Sequence, residues 1–205
     1  AVIEPSRVIA PIPGARRAVL CFFQDAIDRL VAARALAPRF HLRSEIVAVP
    51  VYDVPVGDTN VLLTHPGVGA PLAAGFLEEM IAYGSRSVIA CGGFGVLDST
   101  LPVGHALVPS VAVRDEGTSF HYLPPAREVS ASPRAVAAIE AALRARNIPY
   151  DVVKTWTTDA LYRETRARVS RRQAEGCRTV EMEASAFFAV AQFRGIDFGQ
   201  LLYAG

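Results

Sequence analysis

Lysine is nearly missing from this chain: Lys154 is the only one, so almost all of the positive charge is arginine. Lys and Arg together number 21 against 20 Asp and Glu, and the resulting formal net charge of +1 excludes the broad positive field that a polyanion-binding surface needs. Nucleic acid is therefore not expected as a partner. The arginines are scattered or fall on amphipathic segments, where long charged side chains ordinarily lie as solvated helix faces. Cysteine is scarce too. Cys21, Cys91 and Cys177 are odd in number and lack metal-ligand spacing, so neither a disulfide framework nor a zinc site is expected and a reducing cytoplasm is the implied setting. No apolar run reaches the roughly 18 residues that cross a bilayer, and Ala1 to Arg7 lacks the basic-then-apolar profile of a leader, so no membrane contact or export is expected. With 51% hydrophobic and 20% charged residues the composition is not that of a disordered chain. A length of 205 residues can bury one substantial core, and residues 1–205 are read as a single domain.

Hydrophobic spacing gives strands alternating with helices. Ala18 to Phe23 is an apolar run of strand length, and Asp25 to Leu36 carries Ile27, Leu30, Val31 and Leu36 at helical spacing. Glu45 to Val56 and Asn60 to Thr64 read as strands, and the second stops at the Gly/Pro cluster His65 to Pro71. Pro71 suits a first helical turn, followed by the stripe Leu72, Phe76, Leu77 and Met80 up to Gly84. Ser87 to Cys91 predicts a strand that runs into a turn at Gly92-Gly93-Phe94-Gly95. Ala106 to Val113, Tyr150 to Thr155, Thr179 to Met182 and Asp197 to Tyr203 predict further strands. Pro133 to Arg146, Arg163 to Glu175 and Glu183 to Phe193 predict helices. The alternation argues for an α/β fold with a mixed, largely parallel sheet covered on both faces.

In such sheets ligands gather at the carboxyl ends of strands, where backbone donors and helix N-termini meet. Four segments fall there: His65 to Pro71, Gly92 to Gly95, Arg114 to Tyr122 and Val180 to Ser185. The glycine cluster lets backbone N–H groups approach an anion or a base edge, or is a plain tight turn. Glu181-Met182-Glu183 places two carboxylates at the exit of a buried strand, which is costly unless each has a partner. A ribose offers paired hydroxyls, and a carboxylate gripping both would also stabilise the positive charge that grows on the sugar as a base departs. The alternative is a helix N-terminus that favours acidic residues. Thr157 to Glu164 combines hydroxyls, an aromatic ring and an Arg–Glu pair, and Thr158 or Asp159 could simply cap a helix.

Val180-Glu181-Met182-Glu183-Ala184-Ser185 resembles the ribose-binding signature of the purine nucleoside and uridine phosphorylase superfamily. Gly67-Val68-Gly69-Ala70-Pro71 resembles its Gly-x-Gly-x-Pro turn, and Ile89 to Gly95 its central strand and substrate-cradling loop. Arg114 to Tyr122 and Thr157 to Glu164 are similar to its uridine phosphorylase-like and base-pocket stretches. The likeness runs in order from about His65 onward, whereas the first sixty residues match poorly. It implies a three-layer α/β/α sandwich, with Glu183 on the ribose hydroxyls, Met182 beneath the sugar, Glu181 supporting that loop and Val68 touching the ribose. It implies further that Phe94, Gly95 and Leu161 line the base, with Tyr162, Arg163 and Glu164 at the pocket edge. Gly92 and Gly93 would stand beside phosphate. Homo-oligomers, as dimers or hexamers in which a neighbour completes each site, are implied as well.

Three departures bear on the reaction. The family's phosphorylases usually carry a phosphate arginine where this chain has Ala90, and a Ser or Thr where it has Gly93. Phosphate needs charge-assisted donors, so both losses favour water as the attacking group. No Gly-Asp-Pro turn is present, and Pro13-Gly14-Ala15-Arg16-Arg17 is the nearest substitute, with Arg16 and Arg17 as candidate phosphate ligands. Finally, the sequence stops at Gly205, where purine-acting members place an aspartate that protonates the base, leaving Asp159 and His65 as stand-ins. The expectation is phosphorolysis of a ribonucleoside to free base and ribose 1-phosphate. No cofactor or metal is expected, only inorganic phosphate as co-substrate. A hydrolytic nucleosidase and a non-catalytic nucleoside-binding protein are the alternatives.

Overall fold

The computed structural model describes residues 1–45 and 47–204. After a short helical turn, α1 (Pro5–Val8), the chain runs β1 (Arg17–Cys21), α2 (Gln24–Arg34), β2 (Pro38–Arg43), β3 (Ala48–Val56), β4 (Thr59–Thr64) and α3 (Ala70–Tyr83). It continues as β5 (Ser87–Val96), β6 (Ala106–Asp115), β7 (Glu128–Ser130), α4 (Pro133–Arg144), β8 (Tyr150–Thr158), α5 (Arg166–Ala174), β9 (Cys177–Glu181), α6 (Ala184–Arg194) and β10 (Asp197–Ala204). Helices cover both faces of the sheet, giving the α/β/α layering. Ala18, Leu20, Val88 and Ala90 pack one face against Phe76, Leu77 and Met80 of α3 and Phe187 and Phe188 of α6. On the other face Cys21 meets Ile27 of α2, while Val108 and Ile89 meet Ile139 and Leu143 of α4. The alternation along each strand, inward to one helical layer and then the other, follows from the two-residue side-chain period.

The ten-stranded sheet is not a simple open one. Along the order β10-β6-β8-β9-β5-β1-β4-β3-β2, strand β10 also pairs with β5, so β5, β10, β6, β8 and β9 close a ring. Parallel pairing dominates its long contacts, β5 with β10 and β6 with β8, while β5 meets β9 antiparallel through Gly95↔Val180. Ring closure brings the end of β9 directly against the end of β5.

Several expectations are corrected. Gly92 to Gly95 is not a turn: the strand continues through the glycines to Val96. The glycines are required for contact rather than for bending, since a Cβ on Gly95 would lie 2.8 Å from Val180 Cγ1 and one on Gly92 2.8 Å from the Phe22 ring. The strand expected from Glu45 begins at Ala48, and Ile46 lies outside the described residues. β2 and β7 carry no clear period, and pairing with β3 and β6 makes them strands. The basic helix starts at Arg166, with Thr165 accepting from Arg168 N at its N-terminus; neither Thr158 nor Asp159 caps it. Not every arginine is solvated, either. Arg172 is 4% exposed, pairing with Asp115 at 2.8 Å and with Glu175 at 3.0 Å, and buried Arg114 donates to Ser119 Oγ and the Leu123 and Pro124 carbonyls. Among the described residues no helix is long and apolar enough to cross a membrane.

Candidate active site

The N-terminus of α6 organises the site. An α-helix begins with backbone N–H groups that lack intrahelical partners, and here neighbouring strands satisfy them. Glu181, the last residue of β9, turns back so that Oε2 accepts from Glu183 N at 2.7 Å and Ala184 N at 2.5 Å. Its Oε1 accepts from Thr157 Oγ1 at 2.6 Å, and that hydroxyl accepts in turn from Ser185 N at 2.9 Å. Ser185 Oγ donates to Glu116 Oε1 at 2.9 Å, and Glu116 Oε2 accepts from Ser119 N at 2.9 Å. The β8, β9 and β6 ends are thus tied to one helix start by an entirely buried polar chain. Such chains fix a unique geometry because each unpaired member would cost a full desolvation penalty.

Glu183 occupies the N-cap position without capping the helix itself. Its side chain instead reaches across to the turn before α3, where Gly69 N donates to Oε1 at 2.6 Å. Gly69 has φ +89°, a left-handed conformation that glycine adopts without cost and that aims this N–H at the carboxylate. The N-terminus of α3 therefore faces this buried acid and supports its negative charge. Glu183 is 5% exposed and Glu181 7%. Burial above all, and the neighbouring Glu183 charge, push the Glu181 carboxyl up to about 7 against the opposing pull of its hydrogen bonds from Thr157, Ala184 and Glu183. Burial also raises Glu183, opposed by the Gly69 and Met182 backbone.

Beside this pair lies a cavity of about 280 Å³, walled by Phe22, Val68, Gly93, Phe94, Gly95, Leu161, Glu164, Val180, Glu181, Met182, Glu183 and Gln200. Of the residues singled out in the sequence, Val68, Gly93, Phe94, Gly95, Leu161, Glu164, Glu181, Met182 and Glu183 come together on its wall, while Gly92, buried on β5 behind Phe22, does not line it. Tyr162 and Arg163 point into solvent. Asp159 is exposed and accepts from Gly117 N at 3.0 Å, which makes it a tie for the loop after β6 rather than a wall of the cavity. His65 accepts from Gly67 N at 3.0 Å, and burial lowers its pKa; its ring packs on Phe22 and faces an adjoining cavity shared with Leu72 and Phe76. Arg16 and Arg17 are not brought to the site. Arg17 begins β1 and donates to Thr59 Oγ1 at 2.9 Å, whereas Phe22, five residues on, is on the cavity wall, roughly 16 Å away along an extended chain.

Two wall residues were missed by sequence reasoning. Phe22 read only as the end of an apolar run. Gln200 lies in a strand pattern that gave no hint of a ligand-facing amide, yet it is 1% exposed and its Oε1 has no hydrogen-bond partner. A buried polar group in the last core strand was the available signal.

Fold and cavity together define a three-layer α/β protein that holds a buried carboxylate pair at a helix start beside a small-molecule-sized pocket. The chain belongs to the phosphorylase superfamily, whose family profile matches residues 16–204. A guanosine phosphorylase of Halorubrum lacusprofundi is 29% identical over 145 residues, covering 70% of this chain and 59% of that protein. A uridine phosphorylase of Haemophilus influenzae is 24% identical over 155 residues, covering 69% and 62%. The chain thus spans about three fifths of the length of these curated relatives. Among solved structures, an AMP nucleosidase from Bacteroides thetaiotaomicron superposes with a TM-score of 0.81 at 23% identity, covering 92% of this chain and 80% of that one. A uridine phosphorylase from Vibrio fischeri gives a TM-score of 0.80 at 24% identity, covering 99% and 82%.

Proposed function

We propose that this chain cleaves the N-glycosidic bond of a ribonucleoside by phosphorolysis, releasing free base and ribose 1-phosphate. The observation that carries the glycoside-cleaving part is Glu183, buried on the cavity wall it shares with Gly93 to Gly95 and oriented by Gly69 N–H. Each carboxylate oxygen can accept two hydrogen bonds, so the bond from Gly69 leaves capacity for a vicinal diol. As the base departs, the ribose ring gains positive charge, and a fixed anion in a water-poor cavity stabilises that charge more than it stabilises the neutral substrate. Met182 packs beneath the sugar, and Phe94 and Leu161 supply apolar surface for the base. Glu164, whose carboxyl is raised by burial, is the acid on the cavity wall suited to protonate the departing base. The phosphate part is supported by the guanosine and uridine phosphorylases among the relatives.

Hydrolysis by water is the second reading, favoured because Ala90 stands where the family's phosphorylases carry an arginine and because no Arg, Lys or His is among the described residues that line the cavity. The test is base release from guanosine and uridine with and without inorganic phosphate. Phosphorolysis predicts turnover that rises with phosphate and yields ribose 1-phosphate. Equal release in phosphate-free buffer assigns hydrolysis. Tight nucleoside binding with no release under either condition assigns a binding protein.

A further inference from the structure

The acceptor side of the cavity carries an amide that nothing in the protein uses. Gln200 sits in the middle of β10, 1% exposed, on the wall shared with Gly93 and Glu183, and its buried Oε1 has no hydrogen-bond partner. Leaving a buried amide oxygen unpaired costs its desolvation penalty, more than a typical hydrogen bond contributes net, so an unpartnered one on a cavity wall is in place for a ligand atom.

Its position says which atom. Gln200 is the register partner of Ala90 on the parallel strand β5, and Ala90 is in turn the partner of Leu20 on β1. Register partners in a parallel pair project to the same face of the sheet. Gln200 therefore projects from the same sheet face as Ala90, the position at which the family resemblance places the phosphate arginine, and it is Gln200 that reaches the cavity wall.

We propose that Gln200 is the acceptor-positioning residue of this enzyme, its neutral amide holding the attacking oxygen in line with the anomeric carbon. This rests on the glycoside-cleaving reading above. In the step it serves, the acceptor oxygen bonds to the anomeric carbon as the carbon–nitrogen bond breaks. The electron pair leaves on the base, which takes the proton of Glu164, and the acceptor's own proton restores that acid. An amide offers both a donor and an acceptor. It can donate to a phosphate oxygen or accept from a water whose lone pair then faces the sugar. Lacking charge, it grips phosphate more weakly than a guanidinium would, which sets a high phosphate requirement.

The experiment uses the full chain with Gln200→Ala, Gln200→Asn and Gln200→Glu, assayed with guanosine and uridine across a phosphate titration and in phosphate-free buffer. Nucleoside binding without phosphate is measured by equilibrium dialysis. Deleting one such contact is expected to cost about tenfold or more, seen in KM for phosphate if phosphate is the acceptor or in kcat of the phosphate-free reaction if water is. Nucleoside affinity should stay within about twofold, because the ribose end is untouched. Gln200→Glu should separate the acceptors, repelling phosphate while sustaining attack by water as a base. Should Gln200→Ala melt early, Gln200→Asn, one methylene shorter, carries the same comparison. Unchanged phosphate KM and phosphate-free kcat, or a loss of nucleoside affinity matching the loss of rate, overturns the role. A wild-type chain that releases neither base fails the glycoside-cleaving reading itself, and the inference falls with it.

Discussion

The two ends of the cavity are built on opposite plans. At the β9–α6 end every oxygen of Glu181 and one of Glu183 is bonded within the protein, through Thr157, Glu183 N, Ala184 N and Gly69 N. At the β5–β10 end the wall is formed by neutral groups, Gly93 and the Gln200 amide with its orphan oxygen, with Ala90 buried beside Gln200 in register. The first end is preorganised, its charge fixed before any ligand arrives, which is where electrostatic stabilisation of a developing cation is most effective. The second is incomplete, and the chemistry of whatever enters completes it. Charge is concentrated at the first end, and the second offers neutral groups.

The sharpest way to break this contrast is Glu183→Gln, which keeps shape and removes charge. Turnover should fall by about 10²- to 10³-fold with nucleoside affinity changed far less, the pattern of an interaction realised in the transition state. A raised Michaelis constant with unchanged turnover would instead make Glu183 a simple binding group. Because burial raises its pKa, the acid limb of the pH–rate profile should lie above the ordinary carboxylate range, with activity lost as pH falls and Glu183 takes up a proton.

Next in size is Glu181→Gln, which puts an amide N–H among donors that need an acceptor. It should cost about 2–3 kcal/mol of stability, read by denaturant unfolding, and slow turnover only through misplaced Glu183. The Glu181 carboxyl also links stability to pH. Its folded pKa of about 7 exceeds the ordinary value of 4.5, so between these the native state holds the extra proton and unfolding free energy should decline as pH rises. That slope should become shallower in Glu181→Gln, leaving the part due to the other raised carboxyls such as Glu183 and Glu164.

The smallest effect is expected from Arg16→Ala with Arg17→Ala. Both lie at the start of β1, away from the cavity, so phosphate dependence of the rate should be unchanged within experimental scatter. A raised phosphate requirement in the double variant would bring charge back to the acceptor end and erase the contrast.

Helices and central strands were legible because their signals are local: α3 from Pro71 and the Leu72, Phe76, Leu77 and Met80 stripe, β5 from its apolar run. Glu181 and Glu183 stood out because two acids at a buried strand exit demand partners. The edge strand β2 and the short β7 were invisible because partners across the sheet, not their own periods, make them strands. Asp159 and Arg16 were misplaced for a related reason: residue type proposes a role, but distance from the cavity decides it.

By itself, then, the amino-acid order determined the layered α/β class and marked the acid pair Glu181 and Glu183, since periodicity and desolvation cost act within a few residues. Only the tertiary structure decided that β10 pairs with both β5 and β6, that Gly92 to Gly95 stay extended, and that Gln200 comes to stand beside Ala90. Those outcomes depend on strand pairings between residues far apart along the chain, such as Gly95 with Val180, Leu202 with Leu107 and Gln200 with Ala90, which no local pattern of side chains encodes.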